Sequence, residues 1–297
     1  MSDATSRTGT TGATDLEALV SRARSLLFVP GDRPERFDKA VASGADLVVI
    51  DLEDAVPAEG KEVARASVAE YLATDTVVAV RVNGVGTPWH DADLAALEGR
   101  PRVVMLPKAE DVIAVAGLVD RLAPGSVVVA LVETARGVLA APQLAAAGGV
   151  CRLAMGTIDL GAELGVDPED RDAMASARRH VVLASASAGL APPVDGVTVT
   201  VDDRARLEDD VRYSRRLGLT GKLCIHPRQV AAVHQALQPT QREIRWATAV
   251  LAAADRSSGQ AVLLEGRMVD KPVVDRARRL VEQAGAQAPT GKEPDHG

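Results

Sequence analysis

VVVALVETARG (127–137) and CRLAMGTIDLG (151–161) decide the fold. In each, a short apolar run of strand character stops where a helix-like segment begins, and an acidic residue, Glu133 or Asp159, stands at the switch. Runs that stay apolar at consecutive positions suit strands buried on both faces, as in parallel sheets covered by helices. Consecutive strands of such a sheet lie about 4.7–4.9 Å apart. Two carboxylates at adjacent strand ends can therefore share one hard cation.

Outward from this pair, the same pattern repeats. The runs SLLFVP (25–30), ADLVVIDL (45–52), TVVAVRV (76–82), RVVMLP (102–107), SVVVALVE (126–133), CRLAMG (151–156), PVDGVTV (193–199) and GKLCIHP (221–227) all read as buried strands. Between them lie Ala-rich segments of helical period, such as KEVARASVAEYLA and DRARLEDDVRYSRRLG. Eight strand–helix units within ~250 residues point to an α/β fold of the (β/α)8 barrel type and not to an open doubly wound sheet. The dinucleotide fingerprint fails, because Trp89 stands where the third glycine after Gly84 and Gly86 belongs. A phosphate-binding loop at Gly221-Lys222 fails too, with Arg216 in place of its first glycine and Leu223 in place of Ser or Thr. The reading divides the chain into a polar tail over 1–20, a barrel over 21–258, a C-terminal lid segment and helix over 259–285, and a second tail over 286–297.

Composition narrows the function classes. The net charge of −7 argues against a nucleic-acid or anionic-membrane surface. Two residues each of Phe, Tyr and Trp leave no stacking platform for single strands. Cys151 and Cys224 are far apart and lack CxxC spacing, so they read as buried thiols of an intracellular protein. The N-terminal stretch has no apolar core of a signal peptide, and no run is long enough to span a membrane, so the expected location is the cytoplasm.

In barrel enzymes the chemistry collects at the carboxyl ends of the strands. Here those ends deliver Asp32 and Arg33, then Asp51, Glu53 and Asp54, then Arg81, Lys108, Glu133, Asp159 and His226 to one rim. An oxygen-only pair, Glu133 and Asp159, suits Mg2+ or Mn2+ better than Zn2+, although helix caps or rim salt bridges use the same residues. Arg81 ends an apolar strand and must find an anion, either a substrate carboxylate or Asp51, Glu53 or Asp54. Asp51 is expected to point inward as a packing or hydrogen-bonding residue, with Glu53 or Asp54 orienting metal-bound water. Lys108 reads as a Schiff-base nucleophile or as a rim salt bridge, and His226 as a base or a structural cap before Pro227.

The motifs SLLFVPGDRPERFDKA, DLVVIDLEDAV, AVRVNG, MLPKAE, LVETARG, MGTIDLGAELG and GKLCIHPRQV, in this order, resemble the citrate lyase β-subunit-like family. That family includes malyl-CoA, citramalyl-CoA and citryl-CoA lyases, and the resemblance runs from about residue 24 to 284. It implies a TIM barrel, oligomeric and often trimeric or hexameric, that uses Mg2+ to cleave or form a 3-hydroxyacyl-CoA reversibly, with acetyl-CoA and a 2-oxo acid as the fragments. By motif, Glu133 and Asp159 are the metal ligands and Arg81 grips the oxo acid. Glu53 and Asp54 lie near the metal's water shell, and Arg33, Arg36 and Lys39 meet the coenzyme A phosphates. The segment EGRMVDKP resembles a lid whose aspartate, here Asp270, completes a neighbouring protomer's site as the catalytic acid or base. The same Asp270 also reads as the N-cap of the last helix. The lid speaks against an acyl carrier protein as partner. Alternatives kept open are a malyl-CoA thioesterase, an aldolase of 2-oxo acids without CoA, and a non-catalytic acyl-CoA-binding barrel.

Overall fold

The computed structural model describes residues 13–256, 261–264 and 266–285. Eight of its strands are β1 (Ser25–Pro30), β2 (Leu47–Asp51), β3 (Ala79–Arg81), β4 (Val103–Leu106), β5 (Val127–Val132), β6 (Val150–Met155), β7 (Val194–Asp195) and β8 (Gly221–Cys224). They pair in chain order, all parallel, and β1 also pairs with β8, so the sheet closes into a barrel. The expected (β/α)8 fold is the one observed. β1 spans its whole apolar run and β6 is as long as its own, but the other strands are shorter than their runs, β7 most of all. After Asp195 the chain leaves the ladder at Gly196, where a Cβ would collide with the Thr157 side chain.

The strand residues divide by their period of two. Leu27, Val48, Ile50, Val80, Val104, Val128 and Val132 pack outward with helix residues such as Ala64, Val68, Val115 and Leu144. Leu26, Val49, Ala79, Met105, Val129, Leu131 and Leu223 form a second cluster that fills the barrel interior. Continuing that inward set two residues towards the carboxyl ends gives Phe28, Asp51, Arg81 and Glu133. The alternation that makes the core apolar thus turns four site residues into one mouth.

The opposite end is closed by the helix Ala13–Arg22, whose Leu16 and Val20 are buried with the interior cluster. This corrects the expected polar tail over 1–20. The pair at i and i+4 gives the segment an apolar stripe, and Arg152 anchors it from inside the barrel. The guanidinium, with no exposed surface, donates to Val20 O at 2.7 Å, Pro192 O at 2.9 Å and Thr220 Oγ1 at 3.1 Å, and also to Ala23 O. Residues 1–12 and the expected tail over 286–297 lie outside the described residues.

The chain separates into two compact units, Met1–Leu237 and Gln238–Gly297. The barrel unit therefore ends before 258. The helix Gln241–Arg256 belongs to the second unit, because its Ala247 and Val250 are buried with Val269, Ala277 and Leu280. That unit also holds an antiparallel hairpin of β9 (Val262–Leu264) and β10 (Arg267–Val269) and the helix Lys271–Gly285. Among the described residues no helix is long and apolar enough to cross a membrane.

Candidate functional site

Arg81 is the centre of the inward polar layer. Asp51, one strand over and level with it in the β2–β3 register, accepts from its Nε at 2.7 Å and its Nη2 at 2.6 Å. Two main-chain N–H groups, of Glu53 at 2.9 Å and Ala55 at 3.1 Å, hold the Asp51 carboxylate in turn. The Phe28 ring lies 4.8 Å from the guanidinium carbon, a cation–π contact that braces it from β1. One edge of Arg81 is therefore fixed, and its Nη1 end faces Glu53 Oε2 at 2.9 Å and Asp54 Oδ2 at 3.6 Å. The expected inward role of Asp51 takes a specific form: it orients the arginine.

Lys108 ties the acids together. It is the one non-glycine with positive φ, at +47°, among the described residues, a backbone state that is uncommon for a side chain of this size. In that conformation its main-chain N–H donates to Glu133 Oε1 at 2.8 Å, while its ammonium reaches Glu53 Oε1 at 2.8 Å and Asp159 Oδ2 at 3.7 Å. Burial alone would lower the pKa of the amine, but Glu53, Asp54 and Glu133 outweigh it and hold it above the ordinary lysine range. A Schiff-base nucleophile needs a neutral amine. Of the two readings of Lys108, the geometry favours the ion pair.

Glu133 is buried at the end of β5, and burial pushes its carboxyl up to about 8, reinforced by the charges of Glu53 and Asp159 and opposed by the Lys108 N–H and Arg81. It fits only because residue 156 is glycine, since a Cβ there would collide with the Glu133 carboxylate. Asp159 lies in the first turn of the helix Thr157–Leu164 and is partly exposed, at 39% of its side chain. Among the described residues no group of three or more His, Cys, Asp or Glu forms a closed metal cage. Two carboxylates, one of them buried and crowded by other acids, suit a hard cation that keeps waters and takes substrate oxygens for its remaining positions.

Beneath the rim lies a polar layer that the sequence did not disclose. Lys61, buried in the helix Lys61–Tyr71, donates to Leu52 O, Glu53 O and Asn83 Oδ1, each at 2.7 Å, and its ammonium sits 5.1 Å from the Trp89 ring centre. Asn83 donates to Asp93 through its main chain at 2.8 Å and through Nδ2 at 2.6 Å, and its carbonyl is 2.7 Å from His90 Nδ1. This network fixes the loop carrying Glu53. Its one sequence signal is a polar residue, Asn83, directly after the β3 run.

The remaining expected residues are placed as follows. Arg33 and Arg36 are exposed beyond β1, 3.8 Å from Asp32 and 3.7 Å from Glu35, and Lys39 is exposed on the same segment. His226 Nδ1 accepts the Arg228 N–H at 3.1 Å, which is the capping role. Asp270 Oδ1 accepts the Val273 N–H at 3.4 Å, at the start of the helix Lys271–Gly285 in the second unit. That is the N-cap geometry expected from its sequence, and it leaves a proton-transfer role to be tested.

A family model described as HpcH/HpaI aldolase/citrate lyase matches residues 24–227, and one described as a C–C bond lyase of the TIM-barrel fold matches 174–287. A citrate lyase subunit beta-like protein of Mycobacterium tuberculosis is 39% identical over 266 residues, covering 87% of this chain and 94% of the relative. A (3S)-malyl-CoA thioesterase of Cereibacter sphaeroides is 35% identical over 277 residues, covering 89% and 95%. The solved protein CitE of M. tuberculosis, in complex with magnesium, acetoacetate and coenzyme A, superposes with a TM-score of 0.79 at 38% identity, covering 89% of this chain and 99% of that one.

Proposed function

The chain belongs to the HpcH/HpaI aldolase/citrate lyase family of TIM-barrel carbon–carbon lyases, and from that membership we propose that it splits and forms the bond between an acyl-CoA α-carbon and a 2-oxo acid. The observation that carries this reading is the convergence of Arg81, Lys108 and the carboxylates of Glu53, Glu133 and Asp159 at the carboxyl end of the barrel. Solved relatives with magnesium bound, one with oxaloacetate and one with acetoacetate and coenzyme A, support a divalent cation and an acyl-CoA here.

In this reading Glu133 and Asp159 hold Mg2+ or Mn2+, which supplies Lewis acidity towards a substrate oxygen. Arg81 receives the carboxylate of the oxo-acid fragment at its Nη1 end, and Asp51 keeps the guanidinium from rotating. Glu53, now on that same end, gives way and stays neutralised by Lys108. Cleavage passes the proton of the substrate hydroxyl to solvent, breaks the adjacent C–C bond and leaves the electron pair on the thioester fragment. Protonation of its α-carbon is assigned to Asp270 of a neighbouring protomer, which in the condensation direction removes the α-proton. Arg33, Arg36 and Lys39 are the candidate partners of the coenzyme A phosphates.

The test is condensation of acetyl- or propionyl-CoA with a panel of 2-oxo acids in Mg2+, read by mass spectrometry as the new thioester. Glu133→Ala and Asp159→Ala are expected to lower turnover at least ~100-fold, in line with the loss of an electrostatic stabiliser. Undiminished condensation in chelator by the wild type and by both variants would falsify the reading. The Cereibacter relative motivates a second outcome at the same site: free CoA appearing in step with malate, without glyoxylate, marks a thioesterase.

A further inference from the structure

A cavity of about 560 Å3 opens beside the Glu53–Lys108 ion pair and extends under the loops that follow β3 and β4. That volume lies within the ~300–1,000 Å3 range of small-molecule sites, whereas a methyl group occupies little more than a water's share of about 30 Å3. The hydrogen of glyoxylate or the methyl of pyruvate leaves it nearly empty. The cavity begins one side chain away from Arg81, because Glu53, part of its lining, is 2.9 Å from Arg81 Nη1.

The lining dictates what fits. Val85, Trp89, Ala109 and Ala114 supply an apolar wall, and Val85 is half exposed with no core to fill. Asp54, Glu110 and Asp111 add negative charge. Two cations also line the cavity, and both are committed. Lys61 spends its three N–H groups on Leu52 O, Glu53 O and Asn83 Oδ1, while Lys108 lies between Glu53 and Asp159. A carboxylate entering here meets these three acids beside Glu53 and, among the described residues lining the cavity, no uncommitted cation. The same charges disfavour the phosphates of coenzyme A, so the acyl-CoA approaches from elsewhere and the cavity falls to the oxo-acid fragment.

We propose that this cavity seats the substituent of the 2-oxo acid, and that the preferred substrates carry a neutral, apolar side chain longer than methyl, with a second carboxylate rejected. The inference rests on Arg81 gripping the oxo-acid carboxylate, as in the function proposed above. Specificity then lies in Val85 and Trp89, neither of which touches the reacting atoms.

Two measurements test it together. The first is kcat/KM for condensation of acetyl-CoA in Mg2+ with pyruvate, 2-oxopentanoate and 2-oxoglutarate. The second is fluorescence of the Trp246→Phe protein, in which Trp89 is the remaining tryptophan, titrated with the same acids without acyl-CoA. The expected result is 2-oxopentanoate ahead of pyruvate and of 2-oxoglutarate by at least ~10-fold each, the scale of a filled apolar pocket, with Trp89 emission responding to 2-oxopentanoate alone. Val85→Lys, at an exposed loop position, is expected to shift the ratio of 2-oxoglutarate to 2-oxopentanoate by ~10-fold towards the diacid. Preference for pyruvate or the diacid, with a ratio unmoved by Val85→Lys, overturns the inference while leaving the lyase reading intact. Absence of any condensed thioester together with a selective Trp89 response sinks the lyase reading and keeps the subsite. Absence of both signals overturns both.

Discussion

At the scale of single residues, the site depends as much on what is missing as on what is present. Glu133 occupies the space that a Cβ of residue 156 would need, so Gly156→Ala must either move the carboxylate or strain β6. Overpacking of this kind costs about 1–3 kcal/mol, and a ligand displaced by ~1 Å costs roughly 100-fold in rate. The variant is expected to fold, to melt at lower urea, and to lose metal-dependent turnover ~100-fold, as seen by comparing kcat with the unfolding midpoint. Turnover at the wild-type level would show that Glu133 tolerates displacement. Glu133 and Arg81 stood out in the sequence because each is an ionisable residue ending an apolar run, and Asp159 because it follows one within a turn, although caps and salt bridges use the same residue types. Lys61 was not. It looks like any helix-start lysine, and its partner Asn83 lies 22 residues further on, a separation that no local pattern encodes.

At the scale of elements, the eight strands were legible because apolar runs on a period between Gly and Pro signals admit few alternatives. The helix Ala13–Arg22 was not, since its apolar stripe has just two deeply buried members, Leu16 and Val20, and follows a polar stretch. The decisive residue for it, Arg152, reads in CRLAMG as a stray charge in a strand. Two effects oppose each other at Arg152. Burial pulls its pKa down to about 10, a sign that the ion is poorly solvated, while four oxygen acceptors depend on it for their hydrogen bonds. Each orphaned acceptor costs about 1–3 kcal/mol, and removing an unpaired buried charge returns part of that. The acceptors outweigh the charge, so Arg152→Met is expected to destabilise the protein by about 2–4 kcal/mol in urea unfolding. An unchanged or higher midpoint would mean that the desolvated charge dominates.

At the scale of the whole molecule, closure of the barrel divides labour between its two ends. The carboxyl end concentrates acids whose mutual repulsion works against stability. The amino end carries ion pairs that contribute to stability and that no part of the proposed chemistry uses. The sequence could not separate these roles, because Asp46 and Asp51 lie in the same run, ADLVVIDL, and are told apart only by which end of β2 they occupy. Asp46 stands before the strand. Its Oδ2 accepts the Arg24 main-chain N–H at 2.7 Å and lies 3.3 Å from His234 Nε2, and Arg24 Nη2 reaches its Oδ1 at 3.2 Å. Burial pushes its carboxyl up, but the bonds from His234 and Arg24 outweigh this and hold it well below the ordinary aspartate range. A carboxyl depressed in the folded state, against about 3.9 in the unfolded chain, stabilises the fold at every pH above that value and loses its contribution as pH falls below it. Asp46 is about a quarter exposed, so solvent screening weakens its ion pairs and Asp46→Asn is expected to cost only about 1–2 kcal/mol at neutral pH. In urea unfolding followed by circular dichroism, the gap between wild type and variant should shrink from pH 5 towards pH 3. A gap that holds or widens at pH 3 would place the acid sensitivity of the barrel at its carboxyl end instead.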